Sequence, residues 1–177
     1  MVLDINMIFK TSRLEIKKIR KKDFKTLVLE IGDKKVAKFL TNVPNPYSLQ
    51  DAINWSNLVK RNKFQSNIYF NDSLIGGVGF KEVDLEIFEL GYWLAYPYWG
   101  NGMATEAVNG ALRFLNNFNN IEIFASYLTG NKASRNVLIK TGFDVIGKGE
   151  IFSIFHNKKV PCIKMKYYNN KKNLFKI

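Results

Sequence analysis

The spacing of apolar positions changes several times along the chain, and each change marks a new element. Leu14, Ile16 and Ile19 follow Thr11-Ser12-Arg13 and suggest a first strand. After Lys22 the period lengthens: Phe24, Leu27, Val28 and Ile31 recur at helical spacing, and Val36 to Leu40 reads as a second short helix. Pro44 and Pro46 interrupt the pattern. Ser48-Leu49-Gln50-Asp51 then has the form of a capping box, and Ala52, Trp55, Leu58 and Val59 follow on one helical face.

The middle of the chain shortens its period again. Ile68 to Phe70 and Leu74 to Phe80 flank Asn71-Asp72-Ser73, the signature of a hairpin. Ile87 to Ala95 is a third strand after the polar run Glu82 to Glu86, and connections this short predict antiparallel pairing. Beyond Pro97 and Gly100, the residues Ala104, Ala107, Val108, Ala111, Leu112 and Leu115 repeat as a strongly amphipathic helix. Ile121 to Tyr127 is apolar enough for an internal strand. Asn131 to Thr141 is a helix closed by Gly142, and Phe143 to Ile146 with Ile151 to Tyr168 supply a last antiparallel pair. The order predicts an α+β sandwich around a mixed sheet.

Composition narrows the class without choosing a function. A chain of 177 residues suits one domain, here 1–168 with a basic tail at 169–177, and 46% hydrophobic with 14% aromatic residues fits a folded core. No apolar run approaches the ~20 residues that span a membrane, and no charged segment leads into an apolar stretch with a small-residue cleavage site, so no signal peptide and no membrane role are expected. The single cysteine, Cys162, cannot form an internal disulfide, which fits a cytoplasmic location. One histidine, His156, and one cysteine assemble no zinc-ligand set, so no metal is expected. The net charge of +12 favours anionic partners: nucleic acid, a membrane surface or a polyphosphate cofactor.

Gly100 and Gly102 lie between a strand and the periodic helix. The backbone amides of Asn101, Gly102, Met103, Ala104 and Thr105 can there converge at the positive end of the helix dipole, where a diphosphate would sit. A plain turn that needs glycine for its dihedrals explains the same residues. A dinucleotide fingerprint would require glycine where Thr105 stands, and a P-loop a lysine at the helix start.

The run from Glu89 to Ala107, Glu-Leu-Gly-Tyr-Trp-Leu-Ala-Tyr-Pro-Tyr-Trp-Gly-Asn-Gly-Met-Ala-Thr-Glu-Ala, resembles the acetyl-CoA motif of the GNAT N-acetyltransferases, particularly the RimJ/RimL type. Thr11-Ser12-Arg13-Leu14 resembles that family's opening strand, and Asn131 to Ser134 through Gly142-Phe143 its second cofactor segment. The superfamily loop usually begins with Arg or Gln; here Trp99 stands at that position, a residue common there in the RimJ/RimL type. The resemblance implies a three-layer α/β/α sandwich around a mixed, mostly antiparallel sheet of six to seven strands. It also implies acetyl transfer from acetyl-CoA to a primary amine, a protein N-terminus or a polyamine or other small amine, by direct attack in a ternary complex.

By that resemblance, backbone groups near Trp93, Leu94 and Ala95 bond pantetheine, and the Leu94 amide polarises the thioester carbonyl. Glu89 is the preferred base, within an acidic cluster that includes Glu82, Asp84 and Glu86. Ser134 is the candidate acid, with Tyr127 or Tyr167 as alternatives. Asn131 contacts the cofactor or simply caps its helix, and Lys132 and Arg135 meet the CoA 3′-phosphate or solvent. Cys162 is expected to be structural. Acceptor walls are expected from the helices between Phe24 and Lys63 and from the Gly147 to Lys159 region. A homodimer and contact with a ribosome or ribosomal protein stay open by family analogy. Two other functions remain: a basic RNA- or ribosome-associated binding module, drawing on the Lys164 to Lys176 tail, and a CoA-binding regulator without turnover.

Overall fold

The computed structural model describes residues 6–118 and 120–168. It is built on one sheet of eight strands in the order β1-β2-β3-β4-β5-β6-β8-β7. In chain order the elements are β1 (Phe9–Lys10), β2 (Glu15–Lys17), α1 (Phe24–Gly32), α2 (Lys34–Ala37), α3 (Leu49–Arg61), β3 (Gln65–Phe70), β4 (Ser73–Asp84), β5 (Ile87–Leu94), α4 (Met103–Leu115), β6 (Glu122–Leu128), α5 (Lys132–Lys140), β7 (Phe143–Ser153) and β8 (Lys158–Tyr167). All neighbouring pairs are antiparallel except β5 with β6. Eight strands replace the six to seven expected. The extra one is β1, two residues long and too short to show a period. Phe9 nonetheless lies so close to α4 that a Cβ added at Gly110 would meet its ring at 2.4 Å.

Two helical layers cover the sheet and bury separate cores. Val78, Phe80, Leu90, Ala107, Val108, Ala111, Leu112 and Leu115 pack together under α4, while Leu27, Ile31, Ala52, Tyr69 and Leu74 pack under α1 and α3. The apolar stripe of α4 falls on the period read from the sequence, and Leu115 at its end is fully buried. Ser48 and Asp51 form the expected capping box: the Asp51 amide donates to Ser48 Oγ at 3.2 Å and the Ser48 amide donates to Asp51 Oδ2 at 2.8 Å. Leu58, by contrast, is 49% exposed, because its part of the α3 face borders a cavity rather than the sheet.

The last hairpin differs from its sequence reading. β7 does not end near Ile146 but runs through Gly147 and Gly149 to Ser153, and the chain turns at 154–157, where Asn157 takes φ 48°. The glycines serve a register shift between Val145 and Gly147 and a close approach to β8, since a Cβ at Gly149 would meet Lys164 Cε at 2.8 Å. The turn reaches the N-terminal helical layer: the Ile154 amide donates to the Thr41 carbonyl at 2.8 Å, and His156 Nε2 lies 3.0 Å from the Lys38 carbonyl.

Candidate active site

The middle of the sheet opens. β5 and β6 pair only from Ile87↔Glu122 to Leu90↔Ala125. Beyond that point β5 stays with β4 as far as Leu94↔Gly76, and β6 stays with β8 as far as Leu128↔Cys162, so the two strands part company. The Ala95 amide donates to Ile75 in β4 at 2.8 Å. Because successive peptide groups of a strand point to opposite edges, those of Tyr92 and Leu94 face the opening. The Trp93 peptide group and the Ala95 amide are turned to β4, and the Ala95 carbonyl accepts from the Tyr98 amide. Tyr92 stands with Leu94 on the open edge.

At the mouth of the gap, Gly100 and Gly102 take φ +79° and +73°, which only glycine adopts without strain. Gly102 is the N-cap of α4, and no side chain caps that helix, which leaves its first amides, among them Met103, Ala104 and Thr105, for a ligand. Trp99 braces the entry: its indole Nε1 donates to the Leu94 carbonyl at 2.8 Å, and its ring packs against Tyr96. Asn101 is exposed, and its carbonyl accepts from Arg13 Nη1 at 3.0 Å. Arg13 also pairs with Glu106 at 2.6 Å, and Thr11 Oγ1 donates to the same carboxylate at 2.6 Å. The Thr11-Ser12-Arg13 motif therefore ties the opening strand to the first turn of α4. Burial opposes ionisation of Glu106, yet the hydrogen bonds from Thr11 and Arg13 prevail and hold its carboxyl below the ordinary glutamate range.

A cavity of about 870 Å³ runs through the opening. Of the residues anticipated, Glu89, Trp93, Leu94, Trp99, Gly100, Gly102, Met103, Ala104, Thr105, Asn131 and Ser134 line it. Ala95, Asn101 and Arg135 do not; Ala95 is buried, and Arg135 is exposed on the first turn of α5. Glu82, Asp84 and Glu86 lie exposed at the far hairpin, so only Glu89 of that acidic group reaches the cavity. Asn131 Oδ1 accepts from the Ser134 amide at 3.1 Å and so caps α5. Tyr167 packs on Phe143 outside the cavity, whereas Tyr127 lines it.

Tyr92 is the hydroxyl the sequence reading missed. Its OH donates to the Ser134 carbonyl at 3.1 Å and stands 2.9 Å from Ser134 Oγ, linking β5 to α5 across the gap. Burial pushes its phenol up to about 12 despite the Ser134 contact, so it keeps its proton at neutral pH. Their separation of 42 residues left no local signal to pair them.

On the α3 side the floor is bare. Gly77, Gly79 and Lys81 pair across β4 and β5 with Trp93, Gly91 and Glu89. A Cβ at Gly77 would strike the Trp93 indole at 2.7 Å, whereas one at Gly91 would meet open space. Tyr47, Trp55 and Asp51 close the chamber from the helical layer. Cys162 lines it too, but burial, with Glu89 and Glu150 nearby, raises its thiol above the ordinary range against the pull of Lys164.

Residues 13–144 match the acetyltransferase (GNAT) domain family. The chain belongs to that family. It is 32% identical over 106 residues to the uncharacterized N-acetyltransferase p20 of Bacillus licheniformis, a match that spans 55% of this chain and 60% of that relative. Among solved structures, a ribosomal-protein-S5-alanine acetyltransferase from Vibrio fischeri superposes with a TM-score of 0.75 at 19% identity, covering 92% of this chain and 97% of the other. Mycobacterium smegmatis RimJ, solved with CoA-disulfide, gives 0.76 at 16% identity, covering 89% and 83%. At those identities the likeness establishes the fold: a GNAT fold with an eight-stranded mixed sheet.

Proposed function

We propose that this GNAT protein transfers an acetyl group from acetyl-CoA to a primary amine, with a polypeptide N-terminal α-amine as the acceptor. The observation that carries the reading is the parting of β5 from β6 beyond Leu90, with the uncapped α4 N-terminus at its mouth. The edge amides of Tyr92 and Leu94 suit the pantetheine arm, and the first amides of α4 suit the diphosphate. Arg135 and Lys132, exposed on the first turn of α5, would meet the outer phosphate in this reading.

In this reading the amine enters over Gly91 and loses its proton to Glu89, directly or through water. The neutral nitrogen attacks the thioester carbonyl, whose oxygen is stabilised by an edge amide of β5. The new C–N bond forms as the C–S bond breaks, the departing thiolate takes a proton from the Tyr92–Ser134 pair, and the nitrogen's remaining extra proton passes through water to restore that pair. The names of the S5-alanine enzyme and of RimL, a ribosomal L7/L12 alpha-N-protein acetyltransferase of the same fold, favour an α-amine of a protein among amine classes. Titration calorimetry with acetyl-CoA, followed by intact-mass analysis of an amine panel, tests the proposal. Binding at micromolar affinity and a gain of one acetyl group on N-terminal peptides are expected. Absence of CoA binding at tens of micromolar would rule the reading out.

A further inference from the structure

A second concavity, of about 440 Å³, abuts the acceptor chamber, and Phe39 and Leu128 line both. Its character differs. Lys38, His156, Lys158 and Lys159 surround it, and no carboxylate is among its lining residues. Lys38 follows α2, whereas His156, Lys158 and Lys159 come from the turn and first residues after β7. The docking of that turn on Thr41 and Lys38 is what brings the two basic groups together. Among the described residues none of the three lysines pairs with an acid, although Lys17, Lys22 and Lys166 elsewhere all do. The chamber next door carries Glu89 and Asp51 balanced by Lys81 and Lys140.

Balanced charge in one chamber and uncompensated base in the next form a charge pattern. A polyamine, cationic along its whole length, would be repelled by the second. A chain that presents its amine to Glu89 and carries carboxylates a few residues later matches both. Resting on the α-amine reading above, we infer that the basic pocket is a subsite for acidic side chains near the N-terminus of the acceptor polypeptide. The amine lies over Gly91 by Glu89, the first side chains lie along Phe39 and Leu128, and the following Asp or Glu residues sit among Lys38, Lys158 and Lys159.

The test uses three peptides that share Ala-Val-Ser at the N-terminus and continue with Glu-Glu, Gln-Gln or Lys-Lys. In low salt kcat/KM should fall in that order, with about a tenfold span between the extremes. The span should shrink toward unity as ionic strength rises, because the lysines are exposed and screened. Combining Lys38→Glu, Lys158→Glu and Lys159→Glu should reverse the order while the Kd for acetyl-CoA stays level. Should that variant fail to fold, the peptide order and salt response of the parent protein decide the question alone. Equal kcat/KM across the three peptides would overturn the subsite and leave the α-amine reading standing. Acetylation of small amines but of no peptide would overturn both. An RNA oligonucleotide held by the same three lysines, with peptide rates level, would also overturn it in favour of nucleic acid.

Discussion

Glu89 and Cys162 line the same cavity, and their surroundings suit them to different work. The thiol is buried with two carboxylates nearby, so it holds its proton and is a poor nucleophile. Cys162→Ala should therefore keep kcat within about twofold of the parent, and no acetyl adduct should appear on the protein in intact-mass spectra. Loss of turnover in that variant would replace direct attack by a covalent route. Glu89→Gln keeps the shape of the side chain and removes its basicity. A fall in kcat of about 10²–10⁴ is expected, with acetyl-CoA affinity unchanged, because the proposed role is toward the amine and not the cofactor. Tyr92→Phe removes the hydroxyl that links β5 to Ser134 and that is proposed to donate to the leaving thiolate. Its kcat should drop by about tenfold or more, and the loss should be larger for poor acceptors, whose C–S cleavage is slowest.

At the scale of elements, the turn proposed to hold the diphosphate depends on residues outside it. Arg13, from the segment before β2, spans to Glu106 and to the Asn101 carbonyl, and so fixes the turn against α4. Arg13→Ala should raise the Kd for acetyl-CoA severalfold in calorimetry and leave kcat at saturating acetyl-CoA nearly unchanged. Gly102→Ala places a Cβ at φ +73°, at a cost of about 1–2 kcal/mol. It should weaken CoA binding about tenfold, which a titration reads directly.

These elements were unevenly legible in the sequence. The stripe of α4, the capping box of α3 and the hairpin at Asn71-Asp72 follow from local periods and local hydrogen bonds, which a few adjacent residues specify. The course of β7 through Gly147 and Gly149 was misread, because a glycine that serves close strand packing looks like one that serves a turn. The Tyr92–Ser134 contact and the brace from Arg13 to Glu106 join residues 42 and 93 positions apart, and no local pattern announces either. Which edge of β5 faces the gap was likewise hidden, since it depends on where pairing with β4 begins.

Across the whole molecule, the +12 charge is partly ordered rather than simply displayed. Arg20 reaches Asp23 and Asp72, Lys22 reaches Asp72 at 3.2 Å, and the buried Tyr69 hydroxyl donates to Asp23 at 2.9 Å. Arg20 and Lys17 both lie 4.6 Å from the Tyr69 ring, so this network fastens the N-terminal segment to the β3–β4 hairpin. Hydrogen bonds from Arg20 and Lys22 pull Asp72 down to about 2, and Glu106 is lowered as well. Both carboxyls are depressed on folding, so their stabilisation is complete above the unfolded values near 4 and fades as pH falls toward 2. Thermal melts should thus hold steady from pH 7 to 5 and drop below pH 4. In Asp72→Asn combined with Glu106→Gln the acid drop should be smaller. No helix among the described residues is long and apolar enough to cross a membrane.

The turn at 154–157 ties together parts of the chain more than a hundred positions apart. Its hydrogen bond to the Thr41 carbonyl and its contact with the Lys38 carbonyl clamp the last hairpin onto the segment after α2. The β7–β8 tip and that segment therefore form one continuous wall beside the two concavities, so a change at either end shifts both.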